Sequence, residues 1–492
     1  MTTLSRAATT PAPVDGDEVA AGARRRRHTI AFFFLGVLTV QAGWLLAVPN
    51  FHGPDEIDHV FRASSVARGH WQPSSVEPED GRGYLIPVPD DIVAAARESC
   101  EKVPYLGRDN CSATTEPDAQ GHVLIASAAA KYNPAWYFVV GTAARPFEGA
   151  GGGLAMRLSA MLLVDLAVGA ALWLLISRAA SRWIVLGIAL ACTPTLVYSS
   201  IIAAPNGLGY GAGLLMWASL LTLPRAPSER LKAPLVGLAV SGSVIMVTHS
   251  TGLLWVAMSF LCAAPLMVPR VRHLWSRSRR SVLVVGLLLA AAAVVSAAWV
   301  LLAGTNDPRS GDSADYGPAP MKVLLQGLVL WPLQSIATLQ MRNNAAPIGA
   351  YAVAAALMTV FVLLAWRAGR RAERVSIAAI ALASLAIPIA ATIVAYPRLA
   401  SAWQGRYGLA LALGIIVVAT VVLARKPGPH ALTCWAAGVG LTIVHWATIA
   451  AMFRVDMAGA SQPWTPWFVA GGAVVTVAAF GMASTRPTSL RE

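Results

Sequence analysis

Three carboxylates and an imidazole fall within five residues at Asp55-Glu56-Ile57-Asp58-His59, and Arg62 follows one helical turn later. It is the densest polar cluster in a chain of 492 residues, and it begins just after an apolar run. Placing such groups at a lipid–water boundary is costly unless they meet solvent, cations or a substrate. A carboxylate there can act as a general base toward a hydroxyl, work typically worth about 10²–10⁴-fold in rate. If residues 55–62 are helical, Asp55, Asp58, His59 and Arg62 stand three or four apart and share one face, while Glu56 points elsewhere. The same letters also read as a plain helix start. Pro54-Asp55 would open the helix, acidic residues would suit its dipole, and Asp58 would pair with Arg62. Spacing alone leaves both readings open.

The elements that must hold this cluster are membrane helices. Hydrophobic residues make up 56% of the chain and charged residues only 13%, where a soluble domain carries about 25% charged. That excludes a soluble enzyme, a secreted disulfide scaffold and a disordered chain. Twelve apolar runs are candidate spans: 29–48, 154–177, 183–203, 208–223, 234–249, 251–268, 281–303, 346–366, 375–396, 407–424, 430–450 and 464–483. The expected class is an all-α polytopic membrane protein of about twelve helices.

The net charge of +13, from 38 Lys and Arg against 25 Asp and Glu, would suggest nucleic acid in a soluble protein. Here the arginines cluster between apolar runs, as the positive-inside rule requires, and no nucleic-acid partner is expected. Arg24 to Arg27 set the start of the first span in the cytoplasm. Alternation then brings residues 269–280 and Arg367, Arg370, Arg371 and Arg374 inside as well. The chain therefore divides into a disordered cytoplasmic tail with its Arg cluster (1–28), the first span (29–48) and a large exterior loop, the expected catalytic face (49–153). Spans two to seven (154–303), a second exterior loop (304–345), spans eight to twelve (346–484) and a cytoplasmic tail (485–492) follow.

In the first loop, residues 54–70 put Ile57, Val60, Phe61 and Ser64 on one face, as an interfacial helix would. Residues 132–147 read as a second one. Between them, 72–120 is rich in Pro, Gly, Asp and Glu and reads as an irregular surface insert. Cys100 and Cys111 lie in it. Outside the membrane they would form a disulfide worth about 2–3 kcal/mol, the alternative being two free thiols. Cys192, Cys262 and Cys434 lie in spans without metal-ligand spacing. The second loop offers Asn306, Asp307, Arg309, Asp312, Asp315 and Tyr316 as a flap or else a plain solvated connection, then an amphipathic stretch at 321–341. Asp165 is a carboxylate inside a span, a functional position by default or else a paired one. Asn206 and His249-Ser250-Thr251 read as groups that satisfy helix ends. Walker loop, dinucleotide fingerprint and serine nucleophile elbow are all missing from the sequence.

Three segments, PDEIDHVFRASSVARGHW after the first span, YNPAWYFVVG closing the first loop and WQGRYGLALALG at 403–414, resemble a bacterial multi-spanning membrane family called domain of unknown function 2142. That family resembles the GT-C glycosyltransferases. The resemblance implies a cytoplasmic N-terminus, a catalytic acidic residue just after the first span, two interfacial helices in the first exterior loop and a lipid-linked sugar donor. It points to the pair Asp55 and Glu56 as catalytic, Asp55 as base and Glu56 as close rival. Asp58, His59 and Arg62 would bind or orient substrate. Arg398, Arg406 and Tyr407 would hold the donor phosphate and sugar, with Arg406 first because it lies in Gln404-Gly405-Arg406-Tyr407. The alternative for both arginines is snorkelling anchorage. No metal ligand is assigned and no cofactor is certain; a divalent cation on Asp55 and Asp58 stays open. The expected function is transfer of a sugar from a polyprenyl-phosphate donor to a glycan or lipid acceptor at the outer face of the bacterial cytoplasmic membrane. The competing classes are a transporter or flippase and a non-catalytic scaffold of a surface-polymer complex.

Overall fold

A computed structural model describes residues 16–73, 83–101, 111, 113–226, 230–305, 316–337, 345–400, 403–456 and 464–486. It begins with α1 (Gly16–Ala47), whose first turns carry Arg24–Arg27 and whose remainder is the first apolar run. After the first loop come α5 (Gly149–Ile176), then α6 (Arg182–Ala191) and α7 (Pro194–Ser200), which meet at 70°. Pro194 causes that break, since it has no N–H to continue α6, and the Thr193 side chain caps the new helix by accepting from Leu196 N. The bundle continues with α8 (Asn206–Thr222), α9 (Lys232–Thr248) and α10 (Gly252–Leu302). Pro265 and Pro269 lie inside α10, and Ser278 leaves the helical region there, so α10 is two spans end to end. Then follow α11 (Met321–Ile336), α12 (Ile348–Ala368), α13 (Arg371–Leu399), α14 (Leu409–Leu423), α15 (Ala431–Asp456) and α16 (Thr465–Thr485).

Among the described residues nine helical stretches are long and apolar enough to cross a membrane, and the bent α6–α7 pair makes a tenth. The remaining two of the twelve expected runs fall on α8 and α9, each 17 residues long. α8 is buried along nearly its whole length between α5, α9 and α14. A helix so enclosed need not match the bilayer thickness with its own apolar length. The apolar sides of α10, α12 and α13 face outward, as lipid-facing helices do.

The first loop departs from expectation in two ways. The segment read as an irregular insert, 72–120, contains β1 (Tyr84–Pro89) and α3 (Asp90–Glu101), and β2 (His122–Ser127) follows it directly, paired antiparallel with β1 from Tyr84↔Ser127 to Pro89↔His122. Pro87 and Pro89 fall within β1, where the open edge of a two-stranded ribbon tolerates proline. The fold is thus nearly all-helical rather than wholly so. Cys100 at the end of α3 is bonded to Cys111, with Cα atoms 5.6 Å apart.

The second departure is α2 (Glu56–Ala67). It is no surface helix: every one of its residues is buried. α4 (Pro134–Ala144) packs against one side so closely that a Cβ on Gly141 would strike the Ala63 carbonyl. The sheet covers another side, and Ile57, Val60, Phe61, Ile125, Trp136 and Tyr137 form a core separate from that of the bundle. Burying each large apolar side chain there contributes about 1.5–3 kcal/mol. That separate core fixes the polar residues of α2 relative to the membrane helices.

Candidate active site

Asp55 is the residue before α2 and adopts a left-handed backbone, φ 55 and ψ 13. Asp tolerates that region better than most side chains. The consequence is directional, because Asp55 leaves the face predicted for it and keeps a side chain 46% exposed. Its Oδ2 lies 3.8 Å from Nη2 of Arg406, whose side chain is only 7% exposed. A buried cation therefore faces a half-open carboxylate where α1 gives way to α2.

Glu56 sits otherwise. Its side chain is 1% exposed and receives Arg157 Nε at 2.7 Å, a second bond from Arg157 Nη2, and the backbone N–H of Gly53 and Ala203 at 2.9 and 3.0 Å. Burial alone would push this carboxyl up, but the Arg157 guanidinium and the N–H donors hold it below the usual carboxylate range. Arg157 also donates to the carbonyls of Val48 and Pro49, so the pair fastens the end of α1 to α5. A carboxylate with its lone pairs so occupied serves as a structural anchor, whereas Asp55 is the open member of the acidic pair. Arg157 carried no signal of this role in the sequence, where it stands inside the apolar run 154–177.

Asp58 and Arg62 are likewise engaged in the loop's architecture rather than aligned with Asp55. Asp58 Oδ1 accepts from Ala128 N at 2.8 Å, and its carbonyl accepts from Ser127 Oγ, which binds α2 to the end of β2. Arg62 is fully buried and donates to the carbonyls of Trp71 at 2.7 Å and Tyr132 at 3.0 Å. Burial lowers its pKa to about 10, so it remains a cation. His59 shares a 2.7 Å hydrogen bond with the Tyr137 hydroxyl through Nδ1. Burial draws the imidazole below its usual pKa against the pull of Asp55 and Asp58, which leaves it neutral near pH 7.

Around Arg406 the structure gathers residues that the sequence scattered. Tyr407 places its ring 5.8 Å from the guanidinium carbon and meets the rings of His249 and Trp403. His249 Nε2 donates to Asn206 Oδ1 at 3.1 Å, and its Nδ1 accepts from the Thr251 hydroxyl at 3.2 Å. Trp403 packs edge-on against Trp255. Among the described residues the buried donors Arg406 Nε, Trp403 Nε1, Trp255 Nε1 and the Tyr210 hydroxyl have no hydrogen-bond partner. Buried polar atoms without partners are uncommon and call for an explanation. A cation ringed by unmet donors suits a group that only accepts, such as a phosphate. Arg398 is exposed in the last turn of α13.

Asp165 in α5 accepts from Gln41 Nε2 at 2.9 Å, and the same Gln41 nitrogen lies 2.9 Å from Ser200 Oγ, so this intramembrane carboxylate is paired. Among the described residues no group of three or more His, Cys, Asp or Glu is arranged to hold a metal ion. Asn306, Asp307, Arg309, Asp312 and Asp315, read as a flap, lie outside the described residues.

The family of predicted membrane proteins designated DUF2142 matches residues 38–415. No curated protein matches the sequence. Two crystal structures of ArnT from Cupriavidus metallidurans are similar at 14% identity, one in the apo state (TM-score 0.47) and one bound to undecaprenyl phosphate (TM-score 0.45). Each match covers 92% of this chain and 76% of the other.

Proposed function

The chain belongs to the DUF2142 family of predicted membrane proteins, and from that premise we propose that it is a GT-C-type glycosyltransferase. It moves a sugar from a polyprenyl-phosphate donor to a glycan or lipid acceptor at the outer face of the cytoplasmic membrane. The observation that carries this reading is the facing pair of half-exposed Asp55 and buried Arg406, 3.8 Å apart, among donors that lack partners.

In the proposed step the acceptor hydroxyl oxygen attacks the anomeric carbon. The bond from that carbon to the phosphate oxygen breaks, and its electron pair leaves with the lipid phosphate. Asp55 takes the hydroxyl proton. The displacement inverts the anomeric centre. Arg406 meets the charge that grows on the leaving phosphate, and being buried it does so with little screening by water. Neutral His59, hydrogen-bonded to Tyr137, lies within electrostatic reach of Asp55, and Tyr407 and Trp403 offer ring faces to the sugar.

Lipid analysis of a deletion strain tests the reading whatever the acceptor is. Loss of the chain should let a polyprenyl-phosphate sugar accumulate, and expression of the wild type should clear it. An unchanged lipid-phosphate-sugar pool would remove the proposal.

A further inference from the structure

Gly405, the residue before Arg406, is held from both sides by two consecutive residues of α11. Its N–H donates to Gln334 Oε1 at 2.7 Å, and its carbonyl accepts from Ser335 Oγ at 3.0 Å. The grip is close, because a Cβ on Gly405 would strike the Trp331 carbonyl. α11 is itself tied down at that end. Thr195 Oγ1 donates to the Gln334 carbonyl at 2.8 Å and Thr193 Oγ1 to the Ser335 carbonyl at 3.2 Å, both from the break between α6 and α7. These are the carbonyls that the last turn of a helix leaves unmet. Along the rest of α11 much of the surface is exposed, Met321, Leu325, Val329 and Leu330 among it.

We infer that Gln334 and Ser335 are positioning residues for Arg406, through which α11 sets the guanidinium opposite Asp55. The inference rests on the proposed role of Arg406 in holding a lipid phosphate. Arg406 Nε is buried and among the described residues has no partner, so its own hydrogen bonds do not fully fix its direction. The two peptide units that flank the Gly405 Cα, one held by Gln334 and the other by Ser335, set where the Arg406 side chain starts. Two side chains that grip the backbone on both sides of Gly405 therefore bias the aim of a charge that they do not touch.

The experiment uses the full chain in nanodiscs of zwitterionic lipid and measures binding of a ten-carbon isoprenyl phosphate, the matching isoprenol and inorganic phosphate. Gln334→Met removes the acceptor at similar length. It should weaken isoprenyl phosphate binding about tenfold, the size of one lost hydrogen bond, and leave isoprenol binding unchanged. Gln334→Glu keeps an acceptor for the Gly405 N–H and should restore most of the affinity, and Ser335→Ala should give a smaller loss. Because the residues act through Arg406, adding Gln334→Met to Arg406→Ala should cost nothing beyond Arg406→Ala alone. Additive losses, or wild-type affinity in both Gln334→Met and Ser335→Ala, would overturn the inference while the role of Arg406 stood. If the wild type binds phosphate no better than alcohol and Arg406→Ala changes nothing, the phosphate reading falls and this inference with it. Inorganic phosphate should compete only weakly, since it lacks the chain that places the lipid phosphate at the membrane surface.

Discussion

Asp55 and Glu56 are neighbours of the same chemical type, and their surroundings give them opposite expectations. Asp55→Asn keeps size and removes the basic lone pair, so turnover should fall by about 10²–10⁴-fold with donor binding retained. Transfer from a synthetic short-chain polyprenyl-phosphate sugar measures this, and near-normal turnover would show the residue to be only a helix opening. Glu56→Gln should act on stability instead. It leaves the Arg157 charge buried without its counter-ion, a change that typically costs about 3–5 kcal/mol, visible as a lower unfolding temperature in detergent. Acid should do the same by titration. Glu56 is held below its ordinary pKa of 4.5, so the unfolded chain takes up the proton first, and stability falls as pH drops through and below that value. His59 is held below 6.5, so as pH falls under 6.5 the unfolded imidazole binds a proton before the folded one, again at the folded state's expense. Unfolding temperature should therefore decline from about pH 6.5 downward and decline further below about 4.5; a flat profile between pH 7 and 4 would contradict both burials. None of this division was legible in the sequence. Arg157 lies 101 residues beyond Glu56, and no local spacing rule reaches that far.

At the scale of elements, the apolar runs were legible because twenty residues of hydrophobic chain have few alternatives to a helix. The first loop was less so. The amphipathic letters of residues 54–70 describe a helix with one dry face, whereas α2 has none that is wet, since α4, the sheet and the end of α5 supply cover from distant parts of the chain. The insert that supplies it is stapled by Cys100–Cys111. Replacing both cysteines with serine should cost about 2–3 kcal/mol for so short a loop, and the loop should become more sensitive to protease than the spans. In the intact protein the thiols should resist labelling until reductant is added. Equal protease sensitivity with and without the bond would show that the insert does not depend on it.

For the whole molecule, the first and last helices meet. His28 Nδ1 lies 2.6 Å from Arg486 Nη1, and the Arg486 guanidinium stacks 4.7 Å from the Phe32 ring, so α1 and α16 close the bundle side by side. One basic end therefore collects Arg24–Arg27, Arg182, Arg425 and Arg486, while the loop domain with Asp55 stands at the other end of α1. With the basic end in the cytoplasm, a cysteine at Ser276 should escape an impermeant thiol reagent in intact cells and one at Gln120 should react, in a background free of Cys192, Cys262 and Cys434. Labelling at Ser276 would reverse the orientation and with it the proposed outer-face reaction.

The pairing of Asp55 with Arg406 joins residues about 350 positions apart, which bears on how the protein is made. At about 5–20 residues per second, a ribosome needs roughly 20–70 seconds between delivering the acidic residue and delivering the cation it faces. Glu56 has a shorter wait, since Arg157 enters with the second span. The carboxylate meant for structure is thus neutralised early in insertion. Asp55 meets Arg406 only once most of the helices are in place, so a chain cut short within α13 carries the acidic half of the proposed site without its cation.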